Sequence, residues 1–484
     1  MLLALLREYV RPYRSLVAIV GLLQGISTLA SLYLPTINAR IIDDGVAKGD
    51  TATIVRLGAV MLAVSGLQVL CAITAVYFGS RAGMGFGRDL RAAIFSHVIG
   101  FSAHETARFG APSLLTRTTN DVRQIQLLVQ FTATMLITAP LTCIGGIVMA
   151  VHQDAGLSWL LLISVPALVI ANWLIVSQML PIFRRMQQLI DNINRVLREQ
   201  LSGIRVVRAF AREAVERRRF DEANRALSET AVAAGRWQAL LLPTTTLVIN
   251  LSSVALIWFG GLRIDAGEMQ VGSLIAFLSY FMQILSSVMM ATLILVMLPR
   301  SSVCAERISS VLATEPTIGA PPHPVTRSAV TGLVRLDGAS FSYPGAEQPV
   351  LEGISLSARP GTVTAVVGST GSGKSTLVSL ICRLYDVTAG SVNVDGIDVR
   401  DYDPEQLWSA IGLVPQRGYL FSGTVADNLR YGKADATEAE MWDALTVAAA
   451  DGFIGAHADG LALPVAQGGI NFSGGQRQRL AIAR

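Results

Sequence analysis

Residues 363–376 read VTAVVGSTGSGKST, a β-branched run that ends in a glycine-rich turn. The turn contains the uninterrupted pattern GxxxxGK[ST], which binds nucleotide phosphates when a strand precedes it and a helix follows. Its glycines let backbone N–H groups converge on phosphate oxygens, and the N-terminus of the helix adds partial positive charge. This stretch therefore predicts a nucleotide-binding loop in an α/β domain.

Several positions of the loop have expected roles. Lys374 would neutralise the β- and γ-phosphates, and the Ser375 hydroxyl would bind Mg²⁺. The predicted nucleotide-binding residues are Gly368, Ser369, Thr370, Gly371, Ser372, Gly373, Lys374, Ser375 and Thr376. A chance glycine-rich loop is the alternative, and the strand–loop–helix setting argues against it. The motif alone fits kinases, GTPases and many ATPases.

The loop belongs to a polar C-terminal region that follows a linker. Residues 313–332 are rich in Pro, Ala, Gly and Thr and lack periodicity, which is typical of a linker. Alternating or β-branched runs predict strands at 333–336 and at 363–367. Residues 333–484 are therefore predicted to form the nucleotide-binding domain.

Upstream of the linker, six stretches of at least 24 residues contain no Asp, Glu, Lys or Arg. About 20 apolar residues suffice to cross a bilayer, and a charge at its centre costs about 3 kcal/mol on insertion scales. Residues 1–312 are therefore predicted to form an all-α membrane domain. Its six helices are expected at approximately 15–39, 57–80, 129–150, 156–180, 238–262 and 271–298.

Composition and charge agree with a membrane protein. The chain is 51% hydrophobic and 15% charged, with a mean hydropathy of +0.49. Arginines concentrate in the loops 81–123 and 184–236, which places these loops, both termini and the nucleotide-binding domain in the cytoplasm. We expect the inner membrane of a bacterium. The arginines lie between apolar runs and set topology, so no nucleic-acid partner is predicted, and the four scattered cysteines predict neither a disulfide nor a zinc site.

The order of six spans, linker and nucleotide domain resembles the ATP-binding cassette (ABC) family, specifically exporter-type half-transporters, over the whole chain. The resemblance implies that ATP and Mg²⁺ are the ligands. Tyr343 in FSYPG resembles the aromatic residue that stacks on adenine, and Gln416 in LVPQ resembles the catalytic-site glutamine that senses Mg²⁺ and the membrane domain. A third motif resembles the family signature and consists of Ser473, Gly474, Gly475 and Gln476.

In this family, two cassettes hold ATP between the phosphate loop of one and the signature of the other, so a second half-transporter is implied as partner. Residues 465–469 read VAQGG where exporters usually read like VGERG, and Phe472 replaces the commoner leucine. Asymmetric pairs tolerate such drift, so we expect a heterodimer, with a homodimer as the alternative. Two loop segments resemble the coupling segments of the family. The first contains Phe109, Gly110, Arg117 and Asp121, and the second contains Phe210, Glu213 and Phe220.

The sequence ends at Arg484, ahead of the strand that in this family closes with Asp-Glu and ahead of the switch histidine. Without these groups, hydrolysis at the chain's own phosphate loop would be impaired. The phosphate-loop strand would also lack its usual neighbour in a buried parallel sheet. We expect an incomplete copy of a working half-transporter rather than a naturally truncated subunit.

The predicted function is ATP-driven movement of hydrophobic or amphipathic molecules (drugs, lipids or lipid-linked molecules) by alternating access in a dimer. Polar residues in the spans either bond between helices or contact cargo. The last span combines hydroxyls with adaptable thioethers, at Ser279, Tyr280, Met282, Gln283, Ser286, Met289, Met290 and Met297. Two alternatives remain: an exporter-shaped importer of lipid-like or siderophore substrates, and an ATP-binding regulatory subunit without turnover.

Overall fold

The computed structural model describes residues 1–325 and 331–484, except for the side chains of residues 292–296. The chain forms two compact units. One contains Met1–Ile99 and Gly110–Thr314, and the other contains Gly100–Phe109 and Glu315–Arg484. Part of the predicted linker, residues 326–330, lies outside the described residues.

Long helices build the first unit because its uncharged stretches continue at both ends into amphipathic segments. Among the described residues, six helical segments are long and apolar enough to cross a membrane, which confirms the predicted number of spans. The helices in chain order, including one short helix of the second unit, are α1 (Leu2–Val10), α2 (Arg14–Arg40), α3 (Thr51–Ile99), α4 (Ala103–Phe109), α5 (Ala111–Thr116), α6 (Val122–Gln153), α7 (Trp159–Ser202), α8 (Ile204–Ala209), α9 (Glu213–Asp265) and α10 (Val271–Leu312). A 3₁₀ turn, Arg11–Tyr13, and two π-helical segments, Ile41–Val46 and Arg117–Asp121, connect some of them.

Close packing and satisfied polar groups hold the membrane helices together. Gly146 of α6 lies against Ile284 of α10, where a Cβ would come within 2.7 Å of the Ile284 Cγ1 atom. The fully buried Tyr280 donates a hydrogen bond to the carbonyl oxygen of Leu32 at 2.9 Å, and its hydroxyl lies 2.6 Å from that of Thr36. Small residues at contacts and polar groups bonded between helices replace the hydrophobic driving force that is missing inside a bilayer.

The second unit contains two hydrophobic cores. An antiparallel sheet in the order β2-β1-β3-β4 packs with α11 (Lys374–Ile381) around Leu336, Leu377 and Val392. Its strands are β1 (Val334–Phe341), β2 (Leu351–Ala358), β3 (Ala389–Val394) and β4 (Ile397–Asp398). The other elements are α12 (Pro404–Ser409), β5 (Gly423–Thr424), α13 (Val425–Arg430), α14 (Glu438–Val447), α15 (Asp451–Gly455), β6 (Pro464–Val465) and α16 (Gly474–Ala483). From β5 onward, these elements form a core around Leu420, Leu445 and Phe472.

The two predicted strands have different outcomes. The strand predicted at 333–336 is confirmed as the start of β1, but the strand predicted at 363–367 is wrong. Val363 is 99% exposed and Val367 is 88% exposed, and no strand of the described residues pairs with this segment. A β-branched run becomes a strand only when a neighbour completes its hydrogen bonds, because propensity alone is a weak force.

The Tyr280 hydroxyl gives a direct test of the packing in the membrane unit. Replacing Tyr280 with Phe should lower the free energy of unfolding by about 2 kcal/mol, because the hydrogen bonds of its hydroxyl with Leu32 and Thr36 are lost while the ring remains. The change is measured as a drop in the thermal unfolding midpoint in detergent. Tyr33→Phe, at an exposed ring of the same helix as Leu32, is the control and should leave the midpoint unchanged. Equal shifts in the two variants would contradict this packing.

Candidate nucleotide-binding site

The phosphate loop connects the exposed segment 363–367 to α11. Gly373 is the N-cap of this helix and has a left-handed backbone, with φ of 83°. A Cβ at this position would lie 2.6 Å from the Leu351 Cδ2 atom and 3.2 Å from the carbonyl oxygen of Val350. Only glycine therefore satisfies both the conformation and the space.

The Lys374 side chain folds back over this loop. Its ammonium group donates hydrogen bonds to the carbonyl oxygens of Gly368 at 2.8 Å and Ser369 at 2.7 Å, and lies 3.3 Å from the Ser372 hydroxyl. The positive charge is thus centred on the loop, next to the N-terminus of α11. Phosphate oxygens are stronger acceptors than carbonyl oxygens because they carry charge, so this cradle fits a phosphate group.

Tyr343 lies beside the same helix. Its hydroxyl is 3.0 Å from the hydroxyl of Thr376, and its ring packs edge-on against Phe341 at 4.9 Å and Tyr385 at 5.4 Å between ring centroids. The residue is 36% exposed. The structure thus brings Tyr343 to the phosphate-loop helix and leaves part of it accessible to a flat ligand.

The signature residues form the start of α16. The Ser473 hydroxyl accepts a hydrogen bond from the Gln476 backbone N–H at 3.2 Å, and the Gln476 side chain accepts one from the Ser473 N–H at 2.8 Å. This is a capping box, and it leaves the hydroxyl proton of Ser473 able to donate to an anion. Open space surrounds Gly474 and Gly475, so a ligand can approach this helix end closely.

The signature helix is bonded to the segment that contains Gln416. The Gln478 amide donates to the carbonyl oxygen of Pro415 at 3.1 Å, and the Arg477 guanidinium donates to that of Phe472 at 3.1 Å. Gln416 itself is exposed. Any movement of this segment therefore acts directly on α16.

The predicted site residues fall into two groups. The phosphate loop and Tyr343 are supported by the core around Leu377, whereas the signature is supported by the core around Phe472. Within residues 1–325 and 331–484, no hydrogen bond joins Ser473 or Gln416 to the phosphate loop. One cassette thus carries two helix N-termini, those of α11 and α16, on separate hydrophobic cores.

Sequence reasoning missed two buried carboxylates. Asp395 accepts hydrogen bonds from the Thr331 hydroxyl and from the N–H groups of Gly332 at 2.8 Å and Leu333 at 3.0 Å. Burial raises the pKa of Asp395, but these bonds outweigh it and hold the pKa below its usual range. Glu105 binds Ser102 and Thr317 in a similar way. The signals were present: Asp-Gly at 395–396 is typical of a tight hairpin, and Ser-x-x-Glu at 102–105 is typical of a helix start.

Among the coupling residues, Arg117 and Asp121 contact the end of α10. The Arg117 guanidinium donates to the carbonyl oxygen of Arg307 and to the hydroxyl of Ser310, each at 2.8 Å. The Asp121 carboxylate forms an ion pair with Arg307 at 3.3 Å. In the second unit, Phe109 stacks on Phe101 with ring centroids 5.8 Å apart.

Six membrane helices followed by a phosphate loop and a capped signature helix define a membrane-embedded P-loop nucleotide-binding protein. The family models described as "ABC transporter transmembrane region" and "ABC transporter" match residues 17–288 and 351–484. The chain belongs to the ABC transporter family and has the exporter-type architecture, which confirms the resemblance and the fold class.

Two relatives and one solved structure illustrate the similarity. An "Uncharacterized ABC transporter ATP-binding protein" of Mycobacterium tuberculosis (strain ATCC 25618 / H37Rv) is 72% identical over 488 residues, covering 100% of this chain and 84% of the relative. The "ATP-dependent lipid A-core flippase" of Chromobacterium violaceum is 30% identical over 446 residues, covering 92% and 76%. The structure of a bacterial Atm1-family ABC exporter with ATP bound superposes with a TM-score of 0.77 at 24% identity, covering 99% and 83%, and shows the shared fold.

Gly373 provides a test of the phosphate cradle. Gly373→Ala should weaken ATP binding at least tenfold, because a left-handed alanine costs about 1–2 kcal/mol and its Cβ would also displace Leu351. Binding is measured by titration with a fluorescent ATP analogue. Gly452→Ala is the control, because Gly452 lies in α15 with open space around it. Unchanged affinity in the Gly373 variant would rule out this loop as the phosphate site.

Proposed function

We propose that this chain is one half of an ATP-driven exporter that moves hydrophobic or amphipathic molecules through a cavity between its membrane helices and those of a partner. The observation that carries the proposal is the pair of anion-binding helix ends, α11 and α16, on separate cores of one cassette. A loop that binds its own nucleotide needs a second helix end from elsewhere. A partner cassette supplies one, in the arrangement that the family resemblance implies.

The described residues fit ATP and Mg²⁺ in distinct ways. The loop from Gly368 to Thr376 would hold the phosphates, with Lys374 as the counter-charge and Ser375 and Gln416 as the metal-binding groups. Tyr343 would stack on adenine. Bound ATP supplies the free energy of hydrolysis, and the chain's own groups orient the phosphates and neutralise their charge.

The signature is proposed to act on nucleotide held by a second half-transporter. Ser473 and the first N–H groups of α16 form an accessible anion site that the chain's own phosphate loop does not contact. We favour a heterodimer because the segment before the signature departs from the usual exporter pattern, and a homodimer is the alternative. The basic residues of the long loops support a cytoplasmic cassette at a bacterial inner membrane.

A small cavity in the membrane unit supports the proposed cargo class. It has a volume of about 240 Å³ and is lined by Ser31, Thr138, Thr142, Met282, Gln283, Ser286, Ser287 and Met290. This lining is uncharged and combines hydroxyls with flexible thioethers. The buried Oε1 atom of Gln283 has no hydrogen-bond partner among the described residues. Such a lining suits an apolar or amphipathic molecule, and one relative of this chain is named a lipid flippase.

Variants of Ser473 separate its capping role from phosphate binding. Ser473→Ala should lower the stability of the cassette by about 1 kcal/mol, whereas Ser473→Asp should preserve the cap, because aspartate caps helices equally well. Both should reduce ATPase activity of the assembled transporter at least tenfold, since alanine cannot donate and aspartate repels phosphate. ATP affinity at the chain's own loop should not change. Wild-type ATPase activity in the Ser473→Asp protein would contradict the proposed role of the signature.

Gln283 tests the cargo cavity. Gln283→Leu should raise the KM for a fluorescent phospholipid or lipid-like amide at least fivefold in proteoliposomes, because the cavity lining loses its amide group, while ATPase activity without cargo stays the same. Met289→Leu, on the same helix but outside the cavity lining, should behave like the wild type. Net movement of cargo towards the cassette side would instead identify an importer, and ATP binding without cargo-stimulated turnover would identify a regulatory subunit.

A further inference from the structure

A buried carboxylate lies outside the nucleotide site, in the loop between α3 and α5. Glu105 is 2% exposed and belongs to the short helix α4. One oxygen accepts hydrogen bonds from the N–H and hydroxyl of Ser102, at 2.8 and 2.6 Å. The other accepts from the hydroxyl and N–H of Thr317, at 2.6 and 3.4 Å. The two oxygens therefore serve two chain segments that are 212 residues apart in sequence.

This arrangement compensates the burial of a charge. Burial raises the pKa of Glu105, but hydrogen bonds from Ser102 and Thr317 outweigh it and lower the pKa to about 2. The group is therefore ionised at neutral pH and is held by neutral donors. Removing one of these donors leaves the buried charge partly unsatisfied.

Capping α4 does not require the second oxygen. Ser102 alone completes the cap, so the bond to Thr317 has a separate consequence: it ties the loop helix to the chain that leads into the cassette. The contacts within the protein group Gly100–Phe109 with Glu315–Arg484 as one compact unit. The Ser102 and Thr317 hydroxyls lie 3.1 Å apart. The rings of Phe101, before α4, and Phe109, at its end, stack on each other.

We propose that Glu105 is a positioning residue that fixes α4 to Thr317, so that this loop helix travels with the cassette of its own chain during the transport cycle. This inference rests on the proposed transport function. In the intact protein, the Glu105–Thr317 bonds keep α4 fixed to the cassette, so that ATP-driven movement of the cassette is transmitted through α4. Breaking the Glu105–Thr317 bonds leaves nucleotide binding intact, and less cargo moves for each ATP hydrolysed.

Matched hydroxyl deletions test this role. Thr317→Val keeps the side-chain shape and the α4 cap but removes the bond from the hydroxyl to Glu105. Cargo moved per ATP in proteoliposomes should fall at least threefold, with the KM for ATP unchanged. Thr314→Val is the control because its hydroxyl donates to the nearby carbonyl oxygen of Ser310 at 2.7 Å and, among the described residues, does not bond to Glu105. An unchanged transport ratio in the Thr317 variant overturns the proposal, whereas a wild-type protein that moves no cargo overturns the proposed function instead.

A cysteine pair provides an independent arm. Ser102→Cys combined with Thr317→Cys should form a disulfide on mild oxidation, which peptide mass spectrometry detects without any transport assay. The oxidised double variant should transport with the wild-type ratio, and reduction should lower that ratio to the level of Thr317→Val. Failure of the two cysteines to link, or a lower ratio in the oxidised than in the reduced form, overturns the proposal.

Discussion

The constraint on which the account depends is that one cassette fixes two helix N-termini, those of α11 and α16, to separate hydrophobic cores. The helix after the phosphate loop packs through Leu377 and Leu380 onto the antiparallel sheet. The signature helix packs through Leu480 into the helical core that contains Phe472. Close-packed cores move as rigid bodies, so each helix N-terminus keeps its orientation relative to its own core. Under the proposed function, ATP is the ligand that draws two such surfaces together between chains.

Under the proposed function, the membrane unit responds to such movement. Some of its polar groups are bonded between helices, as at Thr245 and Asn172, where the hydroxyl lies 3.1 Å from the amide oxygen. Helices held by packing and a few such bonds can slide between discrete arrangements at modest cost. Outside the apolar stretches, charged groups join the helices, as in the Asp121–Arg307 ion pair at 3.3 Å.

The sequence predicted the features that depend on local physics. Long uncharged stretches fixed the six spans, and the phosphate loop and signature helix begin where their residue patterns indicate. The strand at 363–367 was wrong because a strand needs a neighbour, which propensity does not report. The pairing of Glu105 with Thr317 could not be predicted, since it joins residues far apart in sequence. The pattern Ser-x-x-Glu, which the prediction did not use, indicates only the local half of that carboxylate's bonding.

The central claim is that nucleotide bound at one chain's phosphate loop is held by the signature of another chain. The most direct measurement is disulfide formation between Ser473→Cys in this chain and a cysteine in the phosphate loop of its partner subunit, at Ser372 if the partner is a second copy. The account predicts a link between chains that forms with ATP and magnesium and is absent without them. A link that forms equally in both conditions, or no link at saturating ATP, would contradict it.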